Sequence, residues 1–167
     1  MSMNEKIYLI GQISSSKPET YRWRENIINQ FRGDDRILFI DPCSNGFNQK
    51  ILADNINDPL RKKIYKMRGT ELLVPKDKSY VVRSTMGIAN MNIFDPKKPI
   101  IGTFFELAWY LDYPEKAVIG ILNGDPENDV ICNHPFVRES VTIWVRDEYE
   151  ACELVHHYYQ CPRGKNE

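Results

Sequence analysis

The sequence predicts a single α/β domain over residues 1–167, with a five-stranded parallel sheet and helices on both faces. Short apolar runs, typical of buried parallel strands, alternate with longer segments of helical periodicity. This alternation favours parallel pairing with right-handed crossovers. The chain also shows no internal repeat and no stretch with the composition of an interdomain linker.

Five segments have the apolar character of buried strands, and Gly, Pro or polar residues follow most of them. Ligands of open parallel sheets bind at the carboxyl ends of such strands. We therefore look for functional residues just after these runs. The predicted strands are 6–11, 36–40, 86–91, 117–122 and 141–145.

Helical spacing and capping residues predict the elements between the strands. The stretch 42–56 is rich in Asn, Ser and Gly and predicts a loop, and 57–75 is only weakly patterned. The predicted helices run from Glu19 to Phe31, from Lys78 to Ser84 with Asp77 as N-cap, from Thr103 through TFFELAWYL, and from Asp147 to Tyr159 with a capping box at Asp147 and Glu150. A short helix starting at Asp58-Pro59 is a further candidate.

The composition argues against several classes of function. Lys and Arg (22) nearly balance Asp and Glu (23), so no broad positive field exists to bind a nucleic acid polymer. No apolar run approaches the roughly 18 residues of a membrane span, and the N-terminal apolar stretch is too short for a signal peptide. The four cysteines lie far apart, so we expect a cytoplasmic protein without a zinc site or disulfide framework.

The most informative segment is Gly102-Thr103-Phe104-Phe105-Glu106. One interpretation is structural, with Thr103 as N-cap and Glu106 closing a capping box in the first helical turn. The other is catalytic, because the free N–H groups and dipole of a helix start stabilise a carboxylate as the anion. An ionised carboxylate held at a strand end is what attack on an anomeric carbon requires. The segment alone leaves both readings open.

Taken with other segments, this motif resembles the nucleoside 2-deoxyribosyltransferase family, including the related deoxynucleotide N-glycosidases. The resemblance rests on the first strand with Tyr8 and Gly11, on Asp77, on the strand ending at Asn90, and on Gly102-Thr103-x-x-Glu106 followed by Leu-Ala-Trp. It covers most of the chain in order and spacing, to at least Ile121. The family implies a Rossmann-like or flavodoxin-like sheet and a glutamate nucleophile that forms a covalent deoxyribosyl-enzyme.

The resemblance assigns roles to three residues. Glu106 matches the nucleophile, Tyr8 the tyrosine that orients it, and Asp77 the acid that handles the nucleobase. Each also has a structural reading: Tyr8 could be a core residue and Asp77 an N-cap. We further expect several polar or small residues to contact the substrate, although a solvated loop is the ordinary explanation for its serines and for a lone His. They are Gly11, Gln12, Ser14, Ser15, Asn90, Gly102, Thr103 and His134.

The chain departs from the family's pattern at three positions. Ile100 stands where many relatives have Asp or Ser, Thr85 where they have Asp, and Gln12 where nucleotide-hydrolysing relatives have Ser. Because Ile100 cannot hydrogen bond, we expect the loop 12–17 to recognise the 5′ end. Its hydroxyls and Lys17 slightly favour a 5′-monophosphate over a nucleoside.

The sequence thus predicts an enzyme that cleaves or transfers the N-glycosidic bond of a 2′-deoxynucleoside or its 5′-monophosphate. The alternative is a nucleotide-binding sensor or effector subunit of the same fold without turnover. No cofactor or metal is expected, since Gly11 begins no GxGxxG and no P-loop is present. A homo-oligomer is expected from Trp109, Tyr110 and Phe136. In the family a loop after the fourth strand reaches a neighbouring subunit, which is the expectation for His134.

Overall fold

The computed structural model describes residues 4–44 and 59–160, with the side chains of 59–70 and 160 left out of the description. Strands and helices alternate throughout these two ranges. In chain order the elements are β1 (Glu5–Gly11), α1 (Glu19–Gln30), β2 (Ile37–Ile40), α2 (Pro59–Arg83), β3 (Met86–Asn90), α3 (Ile101–Tyr110), β4 (Ala117–Ile121), α4 (Pro135–Ser140), β5 (Ile143–Val145) and α5 (Glu148–Gln160).

The strands form one parallel sheet in the order β2-β1-β3-β4-β5. This is the flavodoxin-like order of doubly wound folds, and it confirms the predicted fold class. The order reverses between β1 and β3, where Tyr8 pairs with Gly87 and Gly11 with Asn90. Ligands of such sheets bind in the crevice at this reversal. Within the described ranges, no helix is both long enough and apolar enough to cross a membrane.

The alternation of side chains along β1 supplies both faces of the sheet. Ile7 and Leu9 pack with Trp23 and Ile27 of α1 and with Val155 of α5. Such strands are buried on both faces, which explains why they read as continuous apolar runs in the sequence.

The opposite face of the sheet holds the second core. Tyr8 and Ile10 pack there with Val81 of α2, Leu107 of α3 and Val137 of α4. Tyr8 and α3 therefore lie on the same side of the sheet, and this is the side that matters for the candidate site.

The prediction that Asp77 is the N-cap of a short helix was wrong. Asp77 lies well inside α2, a 25-residue helix that continues through Pro75. A proline inside a helix removes its own backbone hydrogen bond and costs about 3 kcal/mol, but packing can outweigh this. Val81 in the same helix is fully buried. Residues 45–58, which contain most of the predicted loop and the expected cap Asp58, lie outside the described residues.

The predicted capping box of Thr103 and Glu106 was also wrong. Helix α3 begins at Ile101, directly after Pro99-Ile100, and its N-cap Ile100 makes no side-chain cap. Thr103 is therefore the third residue of the helix and Glu106 the sixth. Glu106 thus lies in the second turn, beyond the free N–H groups of the helix start, and the expected stabilisation of its anion by the helix terminus is lost.

Near the C-terminus the prediction held in part. Strand β5 is shorter than expected, and the segment predicted as a loop at His134 contains the short helix α4 with Pro135 at its start. The cap of α5 was correct on one side, because Asp147 Oδ1 accepts from the Glu150 N–H at 2.9 Å. The second bond of the predicted capping box differs, because the Glu150 carboxylate accepts from the N–H of Arg146 and not from that of Asp147.

Candidate active site

Two residues from distant parts of the chain meet on the α2–α3 side of the sheet. The hydroxyl of Tyr8, from β1, donates a short hydrogen bond to Oε1 of Glu106, from α3. Tyr8 is fully buried and Glu106 is only 8% exposed. Among the described residues no hydrogen bond to Oε2 of Glu106 is found, so Tyr8 holds one carboxylate oxygen and the other has no such partner.

Burial dominates the electrostatics of Glu106. Its pKa is raised from 4.5 to about 8, mainly because burial removes water from the carboxyl group and also because the negative charge of Asp77 lies nearby. The hydrogen bond from Tyr8 and the positive charges of Arg24 and Lys76 oppose it. Burial also raises the pKa of Tyr8 well above its ordinary value, with the nearby carboxylates contributing. The Tyr8 hydroxyl therefore stays protonated and remains a donor.

Asp77 extends from α2 into the same buried region, close enough to raise the pKa of both Glu106 and Tyr8. Burial raises its own pKa, and the neighbouring Lys76 partly reverses this. Lys76 Nζ lies 3.3 Å from Asp77 Oδ1 and 5.5 Å from the centre of the Tyr80 ring. Tyr80 in turn packs edge-on against Tyr8 at 5.5 Å. The site is thus a cluster of two carboxyl groups, two tyrosines and one lysine.

The continuous helix α2 explains why this cluster forms. Its C-terminal half carries Asp77 and Tyr80 on neighbouring turns, which places both side chains on one side of the helix. Gly87 in β3 makes room for the adjacent helix, because a Cβ there would lie 3.0 Å from the Tyr110 ring. The Tyr110 hydroxyl lies 2.6 Å from Ser84 Oγ, at the end of α2. Helices α2 and α3 are therefore tied together beside the two carboxyl groups.

Two predicted substrate residues lie at the point where the strand order reverses. Gly11 ends β1 with φ of +156°, and an added Cβ would meet the Asn90 carbonyl at 3.0 Å. Asn90 alternates with Met86 and Ile88, so its side chain belongs to the α1–α5 side and not to that of Glu106. Asn90 Oδ1 accepts from Asn92, while no described residue accepts from its buried Nδ2. The structure therefore does not bring Asn90 beside Glu106.

The side chain of Gln12 is fully occupied by its own chain. Its Nε2 donates to the carbonyls of Asp95 and Lys98 at 2.8 Å each, and its Oε1 accepts from the N–H groups of Phe94 and Asp95. These four bonds exhaust an amide's donors and acceptors. Gln12 thus holds the segment 94–98, and a substrate contact would require breaking one of these bonds.

The expected phosphate-binding hydroxyls face a carboxylate. Ser14 Oγ donates to Asp95 Oδ2 at 2.5 Å, and Ser16 Oγ donates to the same oxygen at 3.2 Å. The Ser14 hydroxyl is the main cause that lowers the pKa of Asp95, so this carboxyl group is ionised at neutral pH. Ser15 is exposed and points to no described partner. A negative charge here opposes the 5′-phosphate that the serines suggested.

The other predicted residues lie around α3 and α4. Thr103 is buried one turn before Glu106, whereas Gly102 is exposed at the helix start. His134 is exposed and stacks on Phe136 at 5.7 Å. His134 and Phe136 border an apolar groove of about 420 Å³ that also includes Leu107. Glu106 does not line this groove, so His134 and Glu106 are not brought together in it.

Sequence reasoning missed Lys76, Tyr80, Asp95 and Arg24. Lys76 and Tyr80 could have been recognised from their spacing to Asp77 if the helix had been predicted to start before Asp77. Nothing in the pattern distinguishes Asp95 or Arg24 from ordinary surface charges. Among the described residues, no cluster of three His, Cys, Asp or Glu side chains could hold a metal ion.

The comparisons with known proteins concern structure alone. No family model and no curated protein matches the sequence. A conserved protein from Enterococcus faecalis V583 aligns over 93% of this chain and 99% of its own, with 14% identity and a TM-score of 0.55. A 2-deoxyribosyltransferase from the psychrotolerant bacterium Bacillus psychrosaccharolyticus aligns over 87% of this chain and 89% of its own, with 15% identity and a TM-score of 0.46. The chain is thus similar in fold to the Enterococcus protein over nearly its whole length.

Proposed function

We propose that this protein cleaves the N-glycosidic bond of a 2′-deoxynucleoside through a covalent deoxyribosyl-enzyme on Glu106. The observation that supports this most directly is the buried contact of the Tyr8 hydroxyl with Glu106, with Asp77 in the same cluster. Glycoside chemistry with retention needs one carboxylate as nucleophile and a second acid for the leaving group. Glu106 and Asp77 are the two carboxyl groups that we propose for these roles.

In the proposed first step, the ionised Oε2 of Glu106 attacks C1′ of the sugar. The new C1′–O bond forms as the C1′–N bond breaks, and the electron pair of that bond moves to the departing base. Tyr8 holds Oε1 and so keeps Oε2 directed at the sugar. In the second step, water or another base attacks C1′, the C1′–O bond breaks, and Glu106 regains its charge.

Asp77 is the proposed acid for the leaving base. Its raised pKa, caused mainly by burial, keeps more of it protonated than an ordinary aspartic acid would be. The proton moves from Asp77 to the base nitrogen as the glycosidic bond breaks. The resulting Asp77 carboxylate lies 3.3 Å from Lys76, which stabilises its charge. The carboxylate then takes a proton from the attacking water or acceptor base.

The geometry of the loop after β1 favours an unphosphorylated substrate. Ser14 and Ser16 both donate to Oδ2 of the ionised Asp95, so they cannot bind a phosphate without leaving that oxygen without its donors. A buried charge without its partners is costly. We therefore propose the nucleoside as substrate, which reverses the slight preference for the monophosphate drawn from the sequence.

The test is incubation of the protein with a panel of 2′-deoxynucleosides, with and without a second base, while released base is measured by chromatography. We expect at least one nucleoside to release free base. In the samples with a second base, formation of a new nucleoside would identify the reaction as transfer. Glu106→Ala should stay folded and release none, while Glu25→Gln, an exposed glutamate on α1, should act as wild type. Ligand binding without turnover would contradict the proposal and support the sensor alternative.

A further inference from the structure

The α1 helix contains a fully buried arginine, Arg24, at the carboxyl end of β1. Its guanidinium donates to the carbonyls of Gly11 at 2.8 Å and Gln12 at 3.3 Å, and to that of Thr20. Its Nε lies 3.7 Å from Asp41 Oδ1, beyond β2. The Arg24 guanidinium thus contacts both the carbonyls at the end of β1 and the carboxylate that follows β2.

A contribution to stability alone is a poor explanation for this arrangement. Removing a guanidinium from water costs several kcal/mol, and a partner at 3.7 Å repays only part of it. Apolar side chains of similar size often replace buried charges without loss of stability. A guanidinium donates several hydrogen bonds in fixed directions, which an apolar group cannot do, and these bonds fix where β1 ends.

The second part of the arrangement is Gln12, whose backbone carbonyl accepts from Arg24. Its side chain makes the four bonds to 94, 95 and 98 described above. That segment leads directly into α3, which carries Glu106. Gly11, also held by Arg24, ends the strand that carries Tyr8. Arg24 is therefore linked by hydrogen bonds to β1, which carries Tyr8, and through Gln12 to the segment that precedes α3.

We propose that Arg24 and Gln12 are positioning residues that set the distance between the Tyr8 hydroxyl and the Glu106 carboxylate. Neither residue has a described hydrogen bond to Glu106, and the charge of Arg24, which lowers the pKa of Glu106, is kept in an Arg24→Lys variant. Both act by holding the end of β1 against the segment that starts α3. Hydrogen-bond strength falls steeply with distance and angle, so a small shift of α3 relative to β1 weakens this contact. Misplacement of a reacting group by about 1 Å can cost roughly 100-fold in rate.

The decisive variant is Gln12→Leu, because it removes four bonds and changes no charge. Since the Tyr8 bond lowers the pKa of Glu106, weakening that bond should raise this pKa. We expect an upward shift when the Glu106 carboxyl carbon is titrated by NMR in the ligand-free protein. The kcat for base release should fall by roughly 10- to 100-fold with a smaller change in KM.

Two further variants keep the test decisive. Arg24→Lys retains the charge but loses the planar set of N–H donors. If Gln12→Leu does not fold, Arg24→Lys should show the effects expected of it. The matched control is Thr85→Val, which removes bonds to Lys6 at the opposite end of β1 and to Tyr159. It should leave the pKa of Glu106 and kcat unchanged.

The inference rests on the proposed function for its kinetic readout only. If no nucleoside is cleaved, the titration of Glu106 still decides it, so the two failures are distinguishable. A Glu106 pKa in Gln12→Leu and Arg24→Lys equal to that of Thr85→Val would overturn the positioning role.

Discussion

The hydroxyl of Tyr8 donates to Oε1 of Glu106 across 98 positions of sequence, in a region where Glu106 is only 8% exposed. This bond is the main effect that opposes the rise of the Glu106 pKa on burial. The pair therefore combines two properties. The buried carboxyl group favours its proton, and the tyrosine moves the balance back toward the ion. The pH dependence of both activity and stability should report this balance.

Activity should rise with pH because the nucleophile must be ionised. Below the pKa of Glu106, which is about 8, only a fraction of the free protein carries the anion. For a nucleoside whose base departs without a proton from Asp77, we expect kcat/KM to increase about tenfold per pH unit and to level off near that value. A pH–rate profile on such a substrate measures this. A profile that is flat from acidic to weakly alkaline pH would show that Glu106 does not act as the ionised nucleophile.

Two substitutions should move that profile in opposite directions. Tyr8→Phe removes the bond that lowers the pKa of Glu106, so the rising limb should shift to higher pH. Loss of a bond to a charged group, worth roughly 1.5 to 3 kcal/mol, should lower kcat/KM by about 10- to 100-fold at neutral pH. Asp77→Asn removes a negative neighbour, so its limb should shift to lower pH. Shifts of the same sign in both variants would contradict this account of the site.

The stability of the protein should depend on Glu106 with a definite sign. Between its ordinary pKa of 4.5 and about 8, the folded protein holds a proton that the unfolded chain releases. The contribution of this group to stability is therefore complete at low pH and falls as pH rises through this window. Glu106→Gln, which mimics the protonated form, should be more stable than wild type at alkaline pH by an amount on the order of 5 kcal/mol.

Urea unfolding of both proteins at several pH values checks this expectation. The difference in unfolding free energy should shrink toward zero as pH approaches 4.5. Glu25→Gln, at an exposed position, serves as control and should show no such trend. A constant difference across the pH range would mean that Glu106 titrates normally in the folded protein.

Substrate choice should depend on Asp95. Wild type should process a deoxynucleoside with higher kcat/KM than its 5′-monophosphate, because the ionised Asp95 already binds Ser14 and Ser16. Asp95→Asn removes the charge and should lower the ratio of kcat/KM for the nucleoside to kcat/KM for the monophosphate by roughly tenfold. This is the effect expected of one charge-assisted hydrogen bond. Kinetics with matched substrate pairs measure the ratio. An equal or better kcat/KM for the monophosphate in wild type would contradict the proposed substrate.

We predict a homo-oligomer, although one of the residues that suggested it has another role. Tyr110 is buried in the core at 3% exposure, while Phe136 (72%) and Val130 (89%) are exposed beside the apolar groove. Exposed apolar side chains around a groove are typical of an association surface. Sedimentation should show at least a dimer at micromolar concentration, and Phe136→Ser should weaken it. A wild-type monomer would also remove the expected role of His134 at a neighbouring site.

The sequence by itself determined the fold class and pointed to the residues that meet in the candidate site. Buried parallel strands are apolar on both faces, so their positions are visible as runs, and their order in the chain limits the topology to few arrangements. Tyr8, Asp77 and Glu106 could be singled out because the resemblance named positions on such elements. Local patterns were enough wherever the determinant was local, as at the Asp147 cap of α5.

Only the tertiary structure decided where helices start and what the polar groups bond. The length of α2 through Pro75 and the start of α3 at Ile101 depend on packing that local propensity does not encode. Gln12 and Ser14 looked like substrate residues until Asp95, some eighty positions away, accounted for their hydrogen bonds. The raised pKa of Glu106 follows from burial, which is a property of the folded chain. Contacts between distant residues set the electrostatics of this site, and no sequence pattern reports them.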